Sequence, residues 1–191
     1  MNNKTSELIR KKASELIATH GYDALEVVDR QVQSKQDLLF SLLEKFMTEL
    51  IDALQTTVLP IQDSKSQLQA FVGLHIDFHA MWSPEALIAT TALNSLSPFN
   101  YKKIVALRNL YDGHVRDIIQ RGCDQRRFSV SDVSVAAASL ITMLTHTTRR
   151  HSELPDVPME AFTAYLLERV LRLVGAAEQP SCTVIPFRPR R

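Results

Sequence analysis

Apolar residues recur along the chain at the three- and four-residue spacing of amphipathic helices. In the first segment, from Thr5 to Gly21, the apolar side chains between Leu8 and Ile17 share one helix face. A second helix is predicted from Ser34, a suitable N-cap, to the stop at Pro60. Strand-like alternation of Val, Ile and Thr with polar residues is missing, so the pattern predicts an all-α fold.

Start and stop signals predict five further helices. Ser83-Pro84 and Ser97-Pro98 each combine a capping serine with a proline at the first helical position, and Asp132 is a third good cap. The predicted helices cover about residues 65–82, 83–96, 98–122, 132–150 and 159–174. Residues 175–191, which include three prolines and three arginines, are predicted to be a basic tail with little structure.

Composition narrows the class of protein. Hydrophobic residues make up 45% and charged residues 23%, which is ordinary for a globular chain. No run approaches the ~18 apolar residues that a membrane span requires, so we expect a cytoplasmic protein without a membrane partner. Cys123 and Cys182 match no metal-ligand spacing. The chain has no phosphate-binding glycine loop and no nucleophile elbow, so we predict neither an enzyme nor a bound cofactor.

Two groups of residues carry a resemblance to a known family. Near the start, Gly21-Tyr22 and Ser34-Lys35 with Leu38-Leu39 flank a segment of 11 residues, 23–33. Further along, a long predicted helix runs from Tyr111 through Val115, Ile118 and Ile119 to Gly122, and Phe128, Asp132 and the Ala-rich run 135–138 follow. In this order and spacing the chain resembles the TetR family of one-component transcriptional regulators.

The resemblance implies a TetR-like all-α architecture in three parts. Residues 1–46 would form a small DNA-binding head of helix-turn-helix type, 47–174 a ligand-binding and dimerisation domain, and 175–191 a flexible tail. In the family the glycine-tyrosine corner and the second flank enclose a helix-turn-helix. Here the 11 residues between them are too few for two helices and a turn, so the DNA-reading part is expected to be shortened.

The resemblance also implies positions of DNA contact. Thr5, Tyr22 and Lys35 match flanking positions of the kind that touch the phosphate backbone, which orient a protein on DNA without reading its sequence. The charge of the head does not support DNA binding, because residues 1–47 hold seven basic and seven acidic side chains. Phosphate contacts supply much of the affinity for DNA, and a DNA-binding head is usually positively charged.

A small-molecule pocket is predicted inside the body, where the family binds its effectors. Apolar walls with a few polar groups suit such a pocket; the aromatic, histidine and methionine candidates are Phe71, His75, Phe78, Trp82, Tyr101, Tyr111, His114 and Met143. The alternative is that all of these are core residues. We expect an apolar or acyl-type effector, which includes acyl-CoA thioesters. His75 and His79, four residues apart, also have the spacing of two metal ligands, but no third ligand follows from spacing and no metal is predicted.

The resemblance further implies a homodimer built from the last two helices, in which small residues allow close approach and large residues fill the grooves. The predicted interface residues are Ala137, Leu140, Ile141, Leu144, Phe162, Tyr165, Leu166, Arg169 and Val170. The alternative is that these are core positions within one chain.

Two hypotheses for function follow. The first is a ligand-responsive TetR-type repressor that binds operator DNA as a homodimer and is released by its effector. The second is a dimeric ligand-binding module that has lost DNA recognition. They share the same body and differ at residues 23–33.

Overall fold

The computed structural model describes residues 3–22, 24, 35–153 and 156–176, with backbone only for 3–10 and Ser152. These ranges hold seven α-helices and no strand, as the apolar spacing predicts. The helices are α1 (Asn3–His20), α2 (Lys35–Thr57), α3 (Ser64–Met81), α4 (Ser83–Thr91), α5 (Pro98–Asp124), α6 (Val133–Arg149) and α7 (Met159–Leu173). Of residues 23–33, where the two hypotheses differ, the structure describes Ala24, and the others lie outside the described residues.

Capping side chains fix three of the helix starts. Asp63 accepts a hydrogen bond from the Ser66 backbone N–H at 2.8 Å at the start of α3. Ser97 precedes Pro98 at the start of α5, and Asp132 accepts from two backbone N–H groups at the start of α6. Each satisfies amide groups that lack a partner within the helix, so the predicted caps at Ser97 and Asp132 are confirmed. The predicted cap at Ser83 is wrong, because Ser83 is already part of α4 and the start of that helix has no side-chain cap hydrogen bond.

Two predicted helix ends are wrong. The helix predicted to span 83–96 ends at Thr91 and continues as a short 3-10 turn, Leu93–Ser95. The hydroxyls of Thr90 and Thr91 both bond to the Leu87 carbonyl, which competes with the helical hydrogen-bond ladder. Helix α5 also continues two residues past Gly122, to Asp124.

One hydrophobic core joins all seven helices, from Ala13 and Ile17 in α1 to Val170 and Val174 at the end of α7. Helix α2 packs against α3, α4 and α5, and α6 packs against the same three helices. Helix α4 contacts both α1 and α6. No described helix is long and apolar enough to cross a membrane.

Candidate ligand-binding cavity and dimer surface

A cavity of about 210 Å³ lies among helices α2 to α6. Its apolar wall comes from α2, α4 and α6, and its polar wall combines histidines, a tyrosine, three threonines and two charged side chains. The lining residues are Phe46, Met47, Leu50, His75, His79, Ala86, Ala89, Thr90, Arg108, Tyr111, Asp112, Ile141, Thr142, Thr145 and His146.

His75 is fixed by hydrogen bonds on both ring nitrogens. Its Nδ1 lies 2.7 Å from the hydroxyl of Tyr111, and its Nε2 lies 3.1 Å from the hydroxyl of Thr145. Burial, with a smaller contribution from His79, holds the pKa of His75 well below its usual range, and burial raises the pKa of Tyr111 well above its usual range. Both side chains are therefore neutral near pH 7, and His75 is positioned rather than free to bind a ligand.

His79 presents one open acceptor. Its ring stacks on that of His75, with centroids 3.9 Å apart and planes 14° from parallel. Its Nδ1 donates to the His75 carbonyl oxygen at 2.9 Å. Burial lowers the pKa of His79 to about 4 despite that hydrogen bond, so in the neutral ring the other nitrogen, Nε2, is an acceptor. No described residue donates to it.

Two opposite charges on α5 complete the polar wall. The guanidinium of Arg108 donates to the carbonyl oxygen of Ala89 on α4. Burial lowers the pKa of Arg108, and burial raises the pKa of Asp112 against the opposing effect of Arg116 and Arg108. Among the described residues Asp112 has no hydrogen-bond partner and no ion pair within 4.0 Å.

The predicted pocket set separates into three groups. His75 and Tyr111 line the cavity, while Phe71 is buried next to it, with its ring centroid 5.8 Å from that of His75. Met143 packs against the core.

The remaining four predicted pocket residues lie elsewhere. Phe78 stacks on Trp82 at 5.7 Å, Tyr101 is exposed, and His114 lies 3.4 Å from Gln55 at the surface. The described residues contain no group of three His, Cys, Asp or Glu side chains placed to hold a metal ion.

Sequence reasoning missed the charged and hydroxyl groups of the cavity. Arg108 and Asp112 are spaced four and eight residues after the buried Ile104, so helical periodicity alone places them on the inner side of α5. This spacing could have placed both residues in the interior, but charged residues usually face solvent.

A second cavity of about 460 Å³ lies between α1, α2 and the α3–α4 junction. Trp82 lines it, with Lys45 Nζ 5.4 Å above the indole ring. Its wall includes Met81, which is 78% exposed, and Lys11. Ser14, a buried polar side chain of this cleft, already donates to the Lys11 carbonyl oxygen. The smaller cavity brings two buried imidazoles and a buried tyrosine together with two charged groups, so it is the better candidate for a specific ligand.

The predicted dimer residues require correction. Six of them, Ala137, Leu140, Leu144, Phe162, Leu166 and Val170, are at most 4% exposed within a single chain. These side chains form the chain's own core and have almost no area left to bury against a partner, as the alternative interpretation held. Ile141 lines the cavity.

The outer surface of α6 and α7 still carries apolar and small residues. Val135 is 63% exposed and Tyr165 is 53% exposed. Ala138 on α6 and Ala161 on α7 are also exposed, and Arg169 of the predicted set lies over the Tyr165 ring, 4.6 Å from its centroid. We name this set, Val135, Ala138, Ala161, Tyr165 and Arg169, the outer α6–α7 face.

In the head, Tyr22 and Lys35 come together. Lys35 Nζ lies 4.5 Å from the centroid of the Tyr22 ring. Gln36 donates to the Tyr22 hydroxyl at 2.9 Å and to the Ser95 carbonyl at 2.6 Å, and accepts from the Ser97 N–H at 2.7 Å. The side chain of Thr5 is outside the described residues.

Comparison with known proteins gives one family and one fold. The tetracyclin repressor-like C-terminal domain family matches residues 62–153. A TetR-family regulatory protein from Rhodococcus RHA1 superposes with a TM-score of 0.84 at 22% identity, over 93% of this chain and 100% of that one. The TetR-family regulator PfmR from Thermus thermophilus gives 0.77 at 25% identity, over 90% and 99%.

A further solved structure is AibR in complex with isovaleryl coenzyme A and operator DNA. It superposes with a TM-score of 0.62 at 20% identity, over 73% of this chain and 83% of that one. No curated protein matches the sequence.

Proposed function

We propose that this chain is a TetR-family transcriptional regulator that represses transcription as a homodimer on operator DNA and is released by a small effector. The match of residues 62–153 to the tetracyclin repressor-like C-terminal domain family and the shared fold support this proposal. Residues 1–46 act as the DNA-binding head, 47–174 as the sensing and dimerisation body, and 175–191 as a tail. The body cavity carries this proposal, because its two neutral imidazoles and opposite charges form a polar wall around an apolar space. The chain acts by binding rather than by catalysis.

The cavity size limits the effector. One water occupies about 30 Å³ in the liquid, so about 210 Å³ corresponds to roughly seven waters. We therefore expect a ligand, or the enclosed part of one, with roughly seven to ten non-hydrogen atoms. AibR is a complex with isovaleryl coenzyme A; an acyl group of that size suits this cavity, whereas a whole coenzyme A thioester exceeds it.

Dimerisation is assigned to the outer α6–α7 face. A glutamate in place of Tyr165 would bury a charge in the interface, so we expect Y165E to shift the protein to monomer. Sedimentation velocity measures the change. Leu110→Glu is the matched control, because Leu110 is similarly exposed (46%) but belongs to α5 and not to the outer α6–α7 face, and its variant should remain dimeric. A dimeric Y165E protein would contradict the assignment.

DNA binding is tested with the DNA upstream of the chain's own gene, by fluorescence anisotropy at increasing salt. Sequence-selective binding with a steep salt dependence supports the repressor. Lys35→Gln should weaken binding to all sequences and reduce the salt slope by about one, because one phosphate contact is lost. Lys102→Gln, an exposed lysine on α5, is the charge-matched control.

The second candidate is the dimeric ligand-binding module without DNA recognition. The balanced charge of the head, seven basic against seven acidic residues in 1–47, is the observation that favours it. If this second candidate is correct, anisotropy gives the same affinity for the upstream DNA and for an unrelated duplex. Lys35→Gln then changes that affinity no more than Lys102→Gln does.

A further inference from the structure

Two charged side chains of the cavity, Arg108 and Asp112, make no ion pair within 4.0 Å with any described residue, although Arg116 on the same helix also attracts Asp112. Arg108 and Asp112 are one helical turn apart on α5, and both line the cavity. The guanidinium makes one hydrogen bond, to the Ala89 carbonyl oxygen. Within the part of the chain that the structure describes, no ion pair joins Arg108 to Asp112, and the carboxylate of Asp112 accepts no hydrogen bond.

Partly buried charges without partners are costly, and a ligand that supplies the partners recovers that cost on binding. The guanidinium has further N–H donors for an anion, and the carboxylate of Asp112 accepts from a cation. Because the two groups lie one turn apart, a ligand that satisfies both carries its anion and its cation a few ångströms from each other.

We propose that the effector is a small zwitterion, an α-amino acid with an aliphatic side chain, whose carboxylate binds Arg108 and whose ammonium binds Asp112. This rests on the proposed function, since it names the ligand of the same cavity. The open Nε2 of His79 is a second acceptor on the polar wall.

The apolar lining fits the aliphatic part. This lining comes from α2 and α6 and consists of Phe46, Met47, Leu50 and Ile141. Leucine has about nine non-hydrogen atoms, within the roughly seven to ten that the volume accommodates. The cavity does not enclose a whole coenzyme A, and a simple fatty acid has no cation to pair with Asp112.

Three probes separate the contributions of the two charges. L-Leucine carries both charged groups, 4-methylpentanoate carries only the anion, and 3-methylbutylamine carries only the cation. Titration calorimetry with the full-length protein should show saturable binding of L-leucine at least about tenfold tighter than of either analogue, which is about 1.4 kcal/mol. Equal affinity for 4-methylpentanoate overturns the proposal, as does an absence of L-leucine, L-valine and L-isoleucine binding up to about 10 mM.

Variants assign the contacts. Arg108→Gln and Asp112→Asn should each weaken L-leucine binding about tenfold or more. The exposed residues of the same helix supply the charge-matched controls Lys102→Gln and Asp117→Asn, which should leave the affinity within about twofold. Arg108→Gln also removes the hydrogen bond to Ala89 and can disturb folding. Asp112→Asn is nearly isosteric, so it tests the proposal even if Arg108→Gln does not fold. Unchanged leucine affinity in Asp112→Asn refutes the ammonium contact.

The outcomes distinguish this inference from the proposed function. If 3-methylbutanoate or isovaleryl coenzyme A binds and releases upstream DNA while amino acids do not bind, the zwitterion is wrong and the ligand-responsive repressor stands. If L-leucine binds through Arg108 and Asp112 but no specific DNA binding is found, the ligand class stands and the repressor is wrong.

Discussion

Replacing Gly122 by alanine tests the packing of the α5–α6 connection. A Cβ at this position would lie 1.9 Å from Cδ2 and 2.2 Å from Cε2 of the Phe128 ring, far inside contact distance. The ring cannot simply swing away, because Phe128 is only 5% exposed and its backbone N–H donates to the Gly122 carbonyl oxygen at 3.0 Å. The added methyl group therefore displaces a buried aromatic side chain.

The change in the free energy of unfolding caused by Gly122→Ala is the sum of two opposing effects. Alanine is favoured over glycine inside a helix by about 1 kcal/mol. Overpacking costs about 1–3 kcal/mol if the ring shifts within the core, and expulsion of the ring approaches the about 3–5 kcal/mol of a Phe→Ala change. We expect a net loss of about 2 kcal/mol in the free energy of unfolding, and a melting temperature lower by about 4–8 °C for a chain of this length.

Equilibrium urea unfolding of Gly122→Ala, Phe128→Ala and the double variant measures the effect. Once the ring is absent the added methyl group fits, so the double variant should be at least about 1 kcal/mol more stable than additivity predicts. Gly113→Ala is the matched control on the same helix, because its Cβ would meet only Arg116 at 3.8 Å; it should be neutral or stabilising. A Gly122→Ala protein as stable as wild type, or strictly additive effects, would refute the reasoning.

Three further results are expected. Gln36→Ala removes the hydrogen bonds to Tyr22 and Ser97 and should lower the free energy of unfolding by about 1–3 kcal/mol, with faster amide exchange at the start of α5; unchanged exchange there would contradict it. The pKa of His79 is about 4 when folded and 6.5 when unfolded, so the unfolded chain binds more protons between these values. The free energy of unfolding should therefore fall between pH 6.5 and pH 4, by up to about 3 kcal/mol through this histidine. The fall should be smaller in His79→Gln. Asp132→Ala loses the α6 cap and should cost about 0.5–2 kcal/mol in thermal unfolding, whereas an unaltered melting curve would show that the cap is dispensable.

Local signals were sufficient for most of the fold. Gly21 ends α1 at a φ of +83°, where glycine avoids the strain of a side chain, and its N–H bonds to the Ile17 carbonyl oxygen. Ser97 and Asp132 cap the helices that follow them. These outcomes depend on neighbours within a few residues, which is why the sequence alone predicts them.

The dimer surface was harder to predict because both sides of α6 and α7 carry apolar residues. Leu140 and Leu144 pack within the chain, whereas Val135 on the same helix is 63% exposed. Helical periodicity identifies each row of apolar residues, but it does not show which helix packs against that row. The choice between an internal and an external partner depends on where α3 and α5 lie, which is tertiary information.

The cavity was predicted only in part. His75 and Tyr111 stood out as polar groups among apolar helix positions, and both line it. The sequence did not reveal that His79 stacks on His75, nor that Arg108 and Asp112 turn inward. A long charged side chain at the edge of a helix face can reach solvent or a cavity, and only the packing of α4 against α5 decides which.

The small cavity also sets a ceiling on the strength of switching. The best very small ligands gain at most about 1.5 kcal/mol per non-hydrogen atom, and this value falls to about 0.3 for drug-sized ligands, so roughly nine atoms supply between about 3 and 13 kcal/mol. Driving a two-state protein from 1:99 to 99:1 requires about 5.5 kcal/mol of difference in ligand affinity between the states. A ligand of about 210 Å³ with ordinary contacts achieves regulation only if the free protein is already near balance between its two states. Substitutions far from the cavity that shift that balance by about 1 kcal/mol should therefore change the ligand concentration needed for the response severalfold.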